Sequence, residues 1–337
     1  MAKLIDQLIN SSFVVSYAYS VLSACTGKFT QEDVKLLATQ TINDVKARGP
    51  KMYKVYTIPK RNGGKRLIAH PSKPLKATQR ALVEVLQKKL PVHEAAFAYR
   101  SGLSIRDNAL VHSKNRYFLK LDLSDFFNSI DVDLFESQLA SNRIFIRNKT
   151  LLNQIIFWSP TKDLQSKLKL SVGAPSSPLI SNFIMYRFDK DMSKICDSLN
   201  VRYTRYADDL FFSTNIKDIL FDIPELVNYI LDKRYDNKLL VNKSKTSFSS
   251  KAHNRHITGV TITNEGKLSI GRGKKRYISS LVHKYNLGLL EYEDMEKLQG
   301  LLGFAKHIEP SFIIKLSKKY SHQSVEYIAK GGWKNNE

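Results

Sequence analysis

The sequence predicts an α+β protein, an antiparallel sheet with helices before and after it. The first sign is the strand-like run from Tyr117 to Leu123, YFLKLDL. The second is the stretch from Val201 to Ser213, VRYTRYADDLFFS, where β-branched and aromatic residues flank the short polar tip Ala207, Asp208, Asp209 and so read as a tight hairpin. The third is helical patterning over residues 1–50 and again from Arg272 onward.

Composition narrows the class. A length of 337 residues, 42% hydrophobic and 25% charged, suits a globular protein with two or three subdomains. The net charge of +22 points to a polyanionic partner, most simply nucleic acid held through its phosphates. Seventeen Phe and sixteen Tyr could supply stacking surfaces for bases, although most belong in a core. Two cysteines, Cys25 and Cys196, exclude a disulfide framework and fit a reducing cytosol, and no Cys/His group has zinc spacing. Ser12 to Cys25 imitates a lipoprotein leader, but its single Lys3 is offset by Asp6 and polar residues interrupt the apolar run. An N-terminal helix packed on the body is expected instead. No uninterrupted apolar run reaches the ~18 residues of a membrane span.

Taken in order, Thr30 and Asp33 suggest an N-cap before Val34 and Leu37. Residues 53–58 and 66–69 read as two strands joined at Arg61-Asn62-Gly63-Gly64, with Lys60, Arg61, Lys65 and Arg66 around the turn. This is either a solvated basic hairpin or a clamp on phosphates. Leu75 to Leu90 reads as a helix with Leu75, Leu82, Leu86 and Leu90 on one face. Residues 93–115 look irregular, and an Asn108–His112 pair there would by itself cap a turn. After the 117–123 strand come helical segments near Phe135 and Leu151, then the Gly/Pro/Ser loop Leu170–Pro178. One long amphipathic helix is expected over 179–199, with Ile180, Ile184, Phe188, Ile195 and Leu199 along one side. Beyond the hairpin, a helix is expected over 224–233 and a short strand over 239–242. A further hairpin should pair 256–263 with 267–270, and helices should cover 272–285, 291–306 and 310–329.

Two adjacent carboxylates at a chain reversal repel each other, and ionised carboxylates in a half-buried site are costly. A hard cation relieves both problems, and Mg²⁺ commonly takes one or two carboxylates plus substrate phosphates. Taken alone, an Asp-Asp turn is an ordinary solvated turn. A strand ending in Asp122 beside a hairpin tipped by Asp208 and Asp209 could bring three carboxylates together, a set suited to two Mg²⁺ ions.

These residues carry a family resemblance. Tyr206-Ala207-Asp208-Asp209 resembles the YxDD box of reverse transcriptases, and the segment from Leu121 to Phe127 resembles their first carboxylate box. Gly173 to Pro178, with Leu179 and Asn182, is similar to their nucleotide-binding loop, and Leu240 to Thr246 to their lysine-bearing segment. Asn108-Ala109-Leu110-Val111-His112 resembles the NAxxH element of bacterial retron reverse transcriptases, and Ile257-Thr258-Gly259 stands where they carry a VTG element. The resemblance extends from about Tyr53 through the last helices.

The resemblance implies a right-hand polymerase fold. Its parts would be an N-terminal helical region at 1–52, fingers at 53–115 and a first palm strand at 116–130. Fingers and palm helices would follow at 131–178, then palm at 179–256, a helical thumb at 257–330 and a tail at 331–337. It implies an RNA-directed DNA polymerase that copies a structured non-coding RNA into a branched RNA–DNA molecule, primed from a guanosine 2′-hydroxyl, and that acts in anti-phage defence with an effector protein. It implies catalytic roles for Asp122, Asp208, Asp209 and Lys245, with two Mg²⁺ ions held by Asp122, Asp208, Asp209 and the Leu123 carbonyl. Deoxynucleotides would meet Lys65, Arg66, Gly173, Ala174, Pro175 and the steric gate Phe127, Phe126 being the better core aromatic. RNA would meet Asn108, His112, Thr258, Gly259, Arg272, Lys274, Lys275 and Arg276. The implied location is the cytoplasm, with no membrane partner. Two positions depart from the family pattern: Val172 stands where a glutamine is usual, and Ile257 where a valine is. Two readings compete, a template-independent defence polymerase and an inactive polymerase-like RNA-binding subunit. The intact Asp122, Asp208 and Asp209 argue against the second.

Overall fold

The computed structural model describes residues 2–25, 28–59, 63–161 and 167–332. Three helices open the chain: α1 (Ala2–Ile9), α2 (Ser12–Leu22) and α3 (Gln31–Arg48). The expected cap is present as a full capping box, in which the Thr30 hydroxyl accepts from the Asp33 N–H and the Asp33 carboxylate accepts from the Thr30 N–H. Val14 and Ala18 of α2 are fully buried, so this apolar stretch packs on the body as expected. An antiparallel hairpin follows, β1 (Tyr53–Pro59) and β2 (Lys65–Pro71), paired from Tyr53–Pro71 to Pro59–Lys65. The expected turn residues Lys60, Arg61 and Asn62 lie outside the described residues, as do 333–337 of the tail. Helix α4 (Lys73–Leu86) buries Leu75, Leu82 and Leu86, and ends four residues earlier than expected.

The stretch expected to be irregular contains a helix, α5 (Ile105–His112), opened by a Ser104/Asp107 capping box. Then come β3 (Tyr117–Asp122), α6 (Val132–Ser141), α7 (Lys149–Ile156) and the short pair β4 (Phe157–Trp158) and β5 (Lys169–Leu170). The single helix expected over 179–199 is two, α8 (Ser177–Ile184) and α9 (Tyr186–Ser198), broken at Met185. The Tyr235 hydroxyl donates to the Ile184 carbonyl at this break, satisfying an acceptor that a continuous helix would use itself.

The central sheet has the order β6–β7–β3–β8, with β6 (Arg202–Tyr206), β7 (Asp209–Thr214) and, after α10 (Ile223–Tyr235), β8 (Ser247–Ser250). Residues 239–242 form no strand and make only a bridge between Val241 and Leu123. The fourth strand is instead Ser247–Ser250, a Ser-Phe-Ser-Ser run without the apolar alternation that marks a strand. The expected strand 256–263 is also two, β9 (Arg255–Ile257) and β10 (Val260–Ile262). They reverse at Thr258 and Gly259, whose φ of 47° and 85° fit a two-residue hairpin turn. β11 (Leu268–Ser269) pairs with β10 as expected. The C-terminal helices are α11 (Arg272–Asn286), α12 (Tyr292–Ile308), α13 (Pro310–Tyr320) and α14 (His322–Ala329), with the last two separated at Ser321, φ 77°.

The two faces of the sheet join different cores. Strand period two places Leu119, Leu121, Tyr203, Leu210 and Phe212 on one face, in a core shared with Phe188 and Met192 of α9. Phe118 and Phe211 lie on the other face, in a second core with α5 and the C-terminal helices. An antiparallel sheet flanked by helical lobes is the arrangement that the family resemblance implied. Among the described residues, no helix is long and apolar enough to cross a membrane.

Candidate active site

The register of the sheet builds the site. Asp122, the last residue of β3, pairs with Asp209, the first residue of β7, and Asp209 pairs with Tyr206 across the hairpin. Ala207 turns the chain in left-handed backbone, φ 56°. Asp208 therefore stands at the apex, and its carbonyl accepts from the Leu123 N–H at 2.9 Å. On the other side of β3, the Asn242 N–H donates to the Asp122 carbonyl at 2.7 Å and the Ser124 N–H to the Leu240 carbonyl at 2.8 Å. The three carboxylates thus belong to two neighbouring segments, β3 and the β6–β7 hairpin, and the 240–242 segment is stitched to the far side of β3.

Two lysines compensate them. Lys245 Nζ lies 2.9 and 3.0 Å from the two Asp122 oxygens, and Lys120 Nζ lies 2.8 Å from Asp209 Oδ1. Burial, then the neighbouring Asp209 and, more weakly, Asp122 charges, push the Asp208 carboxyl above the ordinary range. Burial raises the Asp209 carboxyl too, against the pull of Lys120. With these two lysines engaged, no group of three His, Cys, Asp or Glu side chains among the described residues is gathered as a ready metal cluster. The donors nevertheless suit a divalent cation. They are hard carboxylate oxygens, they are crowded and partly desolvated, and the ammonium groups on them occupy positions where positive charge is already favoured.

Behind the apex a buried network fixes the hairpin. Arg205, fully buried on β6, makes a bidentate ion pair with buried Asp189 of α9, with Nη2–Oδ2 at 2.7 Å and Nε–Oδ1 at 2.9 Å. Its Nη1 donates to the Ala207 carbonyl at 3.0 Å and to Asn182 Oδ1 at 3.1 Å. Asn182 in turn donates to the Ala98 carbonyl at 2.9 Å, and the Tyr203 hydroxyl to Asp189 at 2.7 Å. One side chain thus ties the residue before Asp208 to the helix that follows the Gly173 loop.

Neither Lys120 nor Arg205 was expected as a site residue, yet each has a signal in the sequence. Lys120 is two residues before Asp122, hence on the same strand face. Arg205 is two residues after Tyr203 on a core-facing row, where an arginine requires a buried partner.

The Gly173 loop packs against β2. The Ser171 hydroxyl donates to the Ala69 carbonyl at 2.5 Å, and the Ser177 hydroxyl to the Ser171 carbonyl at 2.6 Å. Gly173 is exposed at φ 110°, Ala174 is buried and Pro175 is half-buried. Lys65 and Arg66 are exposed, with no ion-pair partner among the described residues. Phe126 is buried and Phe127, edge-on to it at 5.6 Å between ring centroids, stays half-exposed.

The expected RNA-contacting residues divide. Thr258 and Gly259 form the β9–β10 turn, and Lys274 Nζ donates to the Gly259 carbonyl at 3.2 Å. Arg272 and Arg276 are exposed, while Lys275 is engaged by Glu309 at 2.5 Å. Asn108 and His112 are fully buried. This corrects their reading as RNA-contacting residues, because neither side chain reaches solvent.

Their role is internal. The Thr204 hydroxyl donates to Asn108 Oδ1 at 2.6 Å, so it can only accept from His112 Nε2, 2.7 Å away. His112 Nδ1 then accepts from the Ser213 hydroxyl at 2.7 Å. Burial, with a smaller push from Arg255, lowers this imidazole from 6.5 to about 3. An unfolded chain takes up that proton near pH 6.5, so the stability tied to neutral His112 is full above pH 6.5 and is lost as pH falls toward 3. Between pH 7 and pH 5 the wild type should lose about 2 kcal/mol more than His112→Gln, measured by urea denaturation at the two pH values.

Comparison with known proteins agrees with this geometry. A family described as "Reverse transcriptase (RNA-dependent DNA polymerase)" matches residues 58–262. The chain is 48% identical over 288 residues to the Retron Ec83 reverse transcriptase of Escherichia coli, covering 85% of this chain and 92% of that protein. It is 34% identical over 303 residues to the Retron Ec73 reverse transcriptase of the same species, covering 88% and 95%. The Retron Mx162 reverse transcriptase of Myxococcus xanthus is 31% identical over 300 residues, covering 81% of this chain and 62% of that protein.

Proposed function

Since the chain belongs to the retron reverse transcriptases, and is therefore an RNA-directed DNA polymerase, we propose that it copies a structured non-coding RNA into a branched RNA–DNA molecule. In this reading a guanosine 2′-hydroxyl of that RNA primes the first addition, and the enzyme acts in the cytoplasm, in anti-phage defence with an effector protein. The observation that carries the catalytic part is the stitching of Asp122, Asp208 and Asp209 at one end of the sheet.

In each addition a primer hydroxyl forms a bond to the α-phosphorus of a deoxynucleoside triphosphate. The bond to pyrophosphate breaks and the hydroxyl proton is lost. Asp122 and Asp208 would be the principal metal ligands, with Asp209 and the Leu123 carbonyl completing the site. Two Mg²⁺ ions bound there would lower the pKa of the attacking hydroxyl and offset charge on the α-phosphate and the leaving pyrophosphate. The protein's own share is positioning and charge. Lys245 pairs with Asp122 through a side chain that is half-exposed, and from there it would reach pyrophosphate as a proton donor. Lys65 and Arg66 would grip the triphosphate, and Gly173 to Pro175 would floor the nucleotide pocket. Thr258, Gly259, Arg272, Lys274 and Arg276 would hold the RNA.

Phe127 would exclude a ribose 2′-hydroxyl. Phe127→Ala is then expected to raise ribonucleotide use relative to deoxynucleotide use by roughly 10- to 100-fold, read as a ratio of kcat/KM values. An unchanged ratio would remove the gate assignment.

The whole reading is tested by expressing the gene with its flanking DNA and purifying the protein with its bound nucleic acid. The expected product is DNA joined to RNA through a linkage that debranching enzyme cleaves. DNA free of RNA would favour the template-independent alternative, and protein free of nucleic acid would overturn the proposal.

A further inference from the structure

Three clefts run together on a part of the surface that shares no residue with the carboxylate site. The first, about 670 Å³, lies between α1, the end of α4 and the loop before α7. The second, about 620 Å³, lies between that loop, α9 and α10, and shares Lys89 with the first. The third, about 620 Å³, lies between α9 and α10 and shares Asp191 and Arg234 with the second. Their walls carry ten Lys and Arg side chains against two acids, Glu84 and Asp191.

The charge is mostly uncompensated. Arg234 takes up Asp191, and Arg187 is spent on Asn142 and the Ser141 carbonyl. Lys88, Lys89, Arg143, Arg147, Lys190 and Lys194 are exposed, and none has an ion-pair partner among the described residues. Phe145, 78% exposed, stands between Arg143 and Arg147 on the same loop. Helix α9 backs the sheet on the face opposite Asp122 and Asp209, since its Asp189 and Phe188 meet Arg205 and Tyr203 on the other row of strand positions.

We propose that this strip is a second nucleic-acid track, which grips the phosphates of folded RNA behind the polymerase cleft while Phe145 stacks on an unpaired or terminal base. A run of unpaired cations in connected clefts matches a repeating polyanion, and an exposed aromatic between two arginines suits a base face. The proposal rests on the reading that this enzyme works on a structured RNA, and it names where the part outside the cleft is held.

The test uses the full chain and an RNA hairpin of about 20 base pairs, long enough to offer successive phosphate rows. The hairpin carries no primer or template, so its binding does not depend on whether a branched product is made. The triple variant Lys89→Gln/Arg143→Gln/Lys190→Gln should bind it at least about tenfold more weakly near ~0.1 M salt, and the slope of log K against log[salt] should fall by about 2 to 3. Deoxynucleotide addition to a short unstructured primer–template should keep its kcat. The charge-preserving variant Lys89→Arg/Arg143→Lys/Lys190→Arg should keep the wild-type slope. Unchanged affinity and slope in the Gln variant would overturn the proposal. So would loss of an acidic protein partner from the Gln variant with RNA binding intact, which would make the strip a protein-docking surface.

Discussion

Asp208→Asn and Asp122→Asn are each expected to lower DNA synthesis by about a thousandfold or more, in protein that folds normally. The chemical step adds charge to a phosphate already carrying several negative charges, and these carboxylates are the groups placed to recruit the compensating cations. Folding does not need them ionised. Asp208 is half-buried and repelled by Asp209 and Asp122, so a neutral amide there relieves strain in the metal-free protein. Thermal denaturation without divalent ions should therefore show Asp208→Asn as stable as the wild type or more so. Added Mg²⁺ should stabilise the wild type and leave the variant unmoved. Activity close to wild type in either variant would mean that the site is misassigned. Asp122→Asn also releases Lys245, but that side chain is 58% exposed and returns to water at little cost.

Arg205→Met carries the largest expected effect on stability, a loss of about 3 to 5 kcal/mol in urea denaturation. The cost arises because Asp189 is completely buried and, among the described residues, its carboxylate would keep only the Tyr203 hydroxyl as partner. Removing both charges, as Asp189→Leu/Arg205→Met, should restore much of that stability, since a buried pair repays little more than its own desolvation. It should not restore activity. The Ala207 carbonyl and Asn182 would still lack their donor, and a reacting geometry loosened by about an ångström costs on the order of a hundredfold. A double variant with recovered stability and a low kcat would identify Arg205 as a positioning residue. Recovery of both would reduce it to a structural one.

Much of the site was legible in the sequence because strand periodicity is short-range. The alternation in YFLKLDL and in VRYTRYADDLFFS puts Asp122 and Asp209 on one sheet face, and only the pairing of the two segments had to be supplied. Phe126 and Phe127 lie in the turn beyond β3, where strand alternation no longer applies, and their division into buried and half-exposed rings was indicated only by the family resemblance.

What was hidden depends on contacts far apart in the chain. Asn108 and His112 look like an exposed polar pair until Thr204 and Ser213, more than ninety residues away, enclose them. Arg205 finds Asp189 only when α9 packs across the sheet. Lys120 and Lys245 choose their carboxylates only once β3 and the 240–246 segment lie side by side. Elements failed where backbone geometry overrode composition. Thr258 and Gly259 turn inside an apolar run, and Met185 and Ser321 interrupt helical patterns that continue across them. The serine-rich β8 is a strand because β3 offers it an edge, not because its own residues prefer one.

The central claim is that Asp122, Asp208 and Asp209 form the divalent-ion centre of DNA synthesis. Counting Mn²⁺ bound per chain by electron paramagnetic resonance, with a primer–template and a non-hydrolysable deoxynucleotide present, tests it most directly. The expected result is two ions per wild-type chain and loss of both in Asp122→Asn/Asp208→Asn. Equal Mn²⁺ binding in the wild type and the double variant would contradict it.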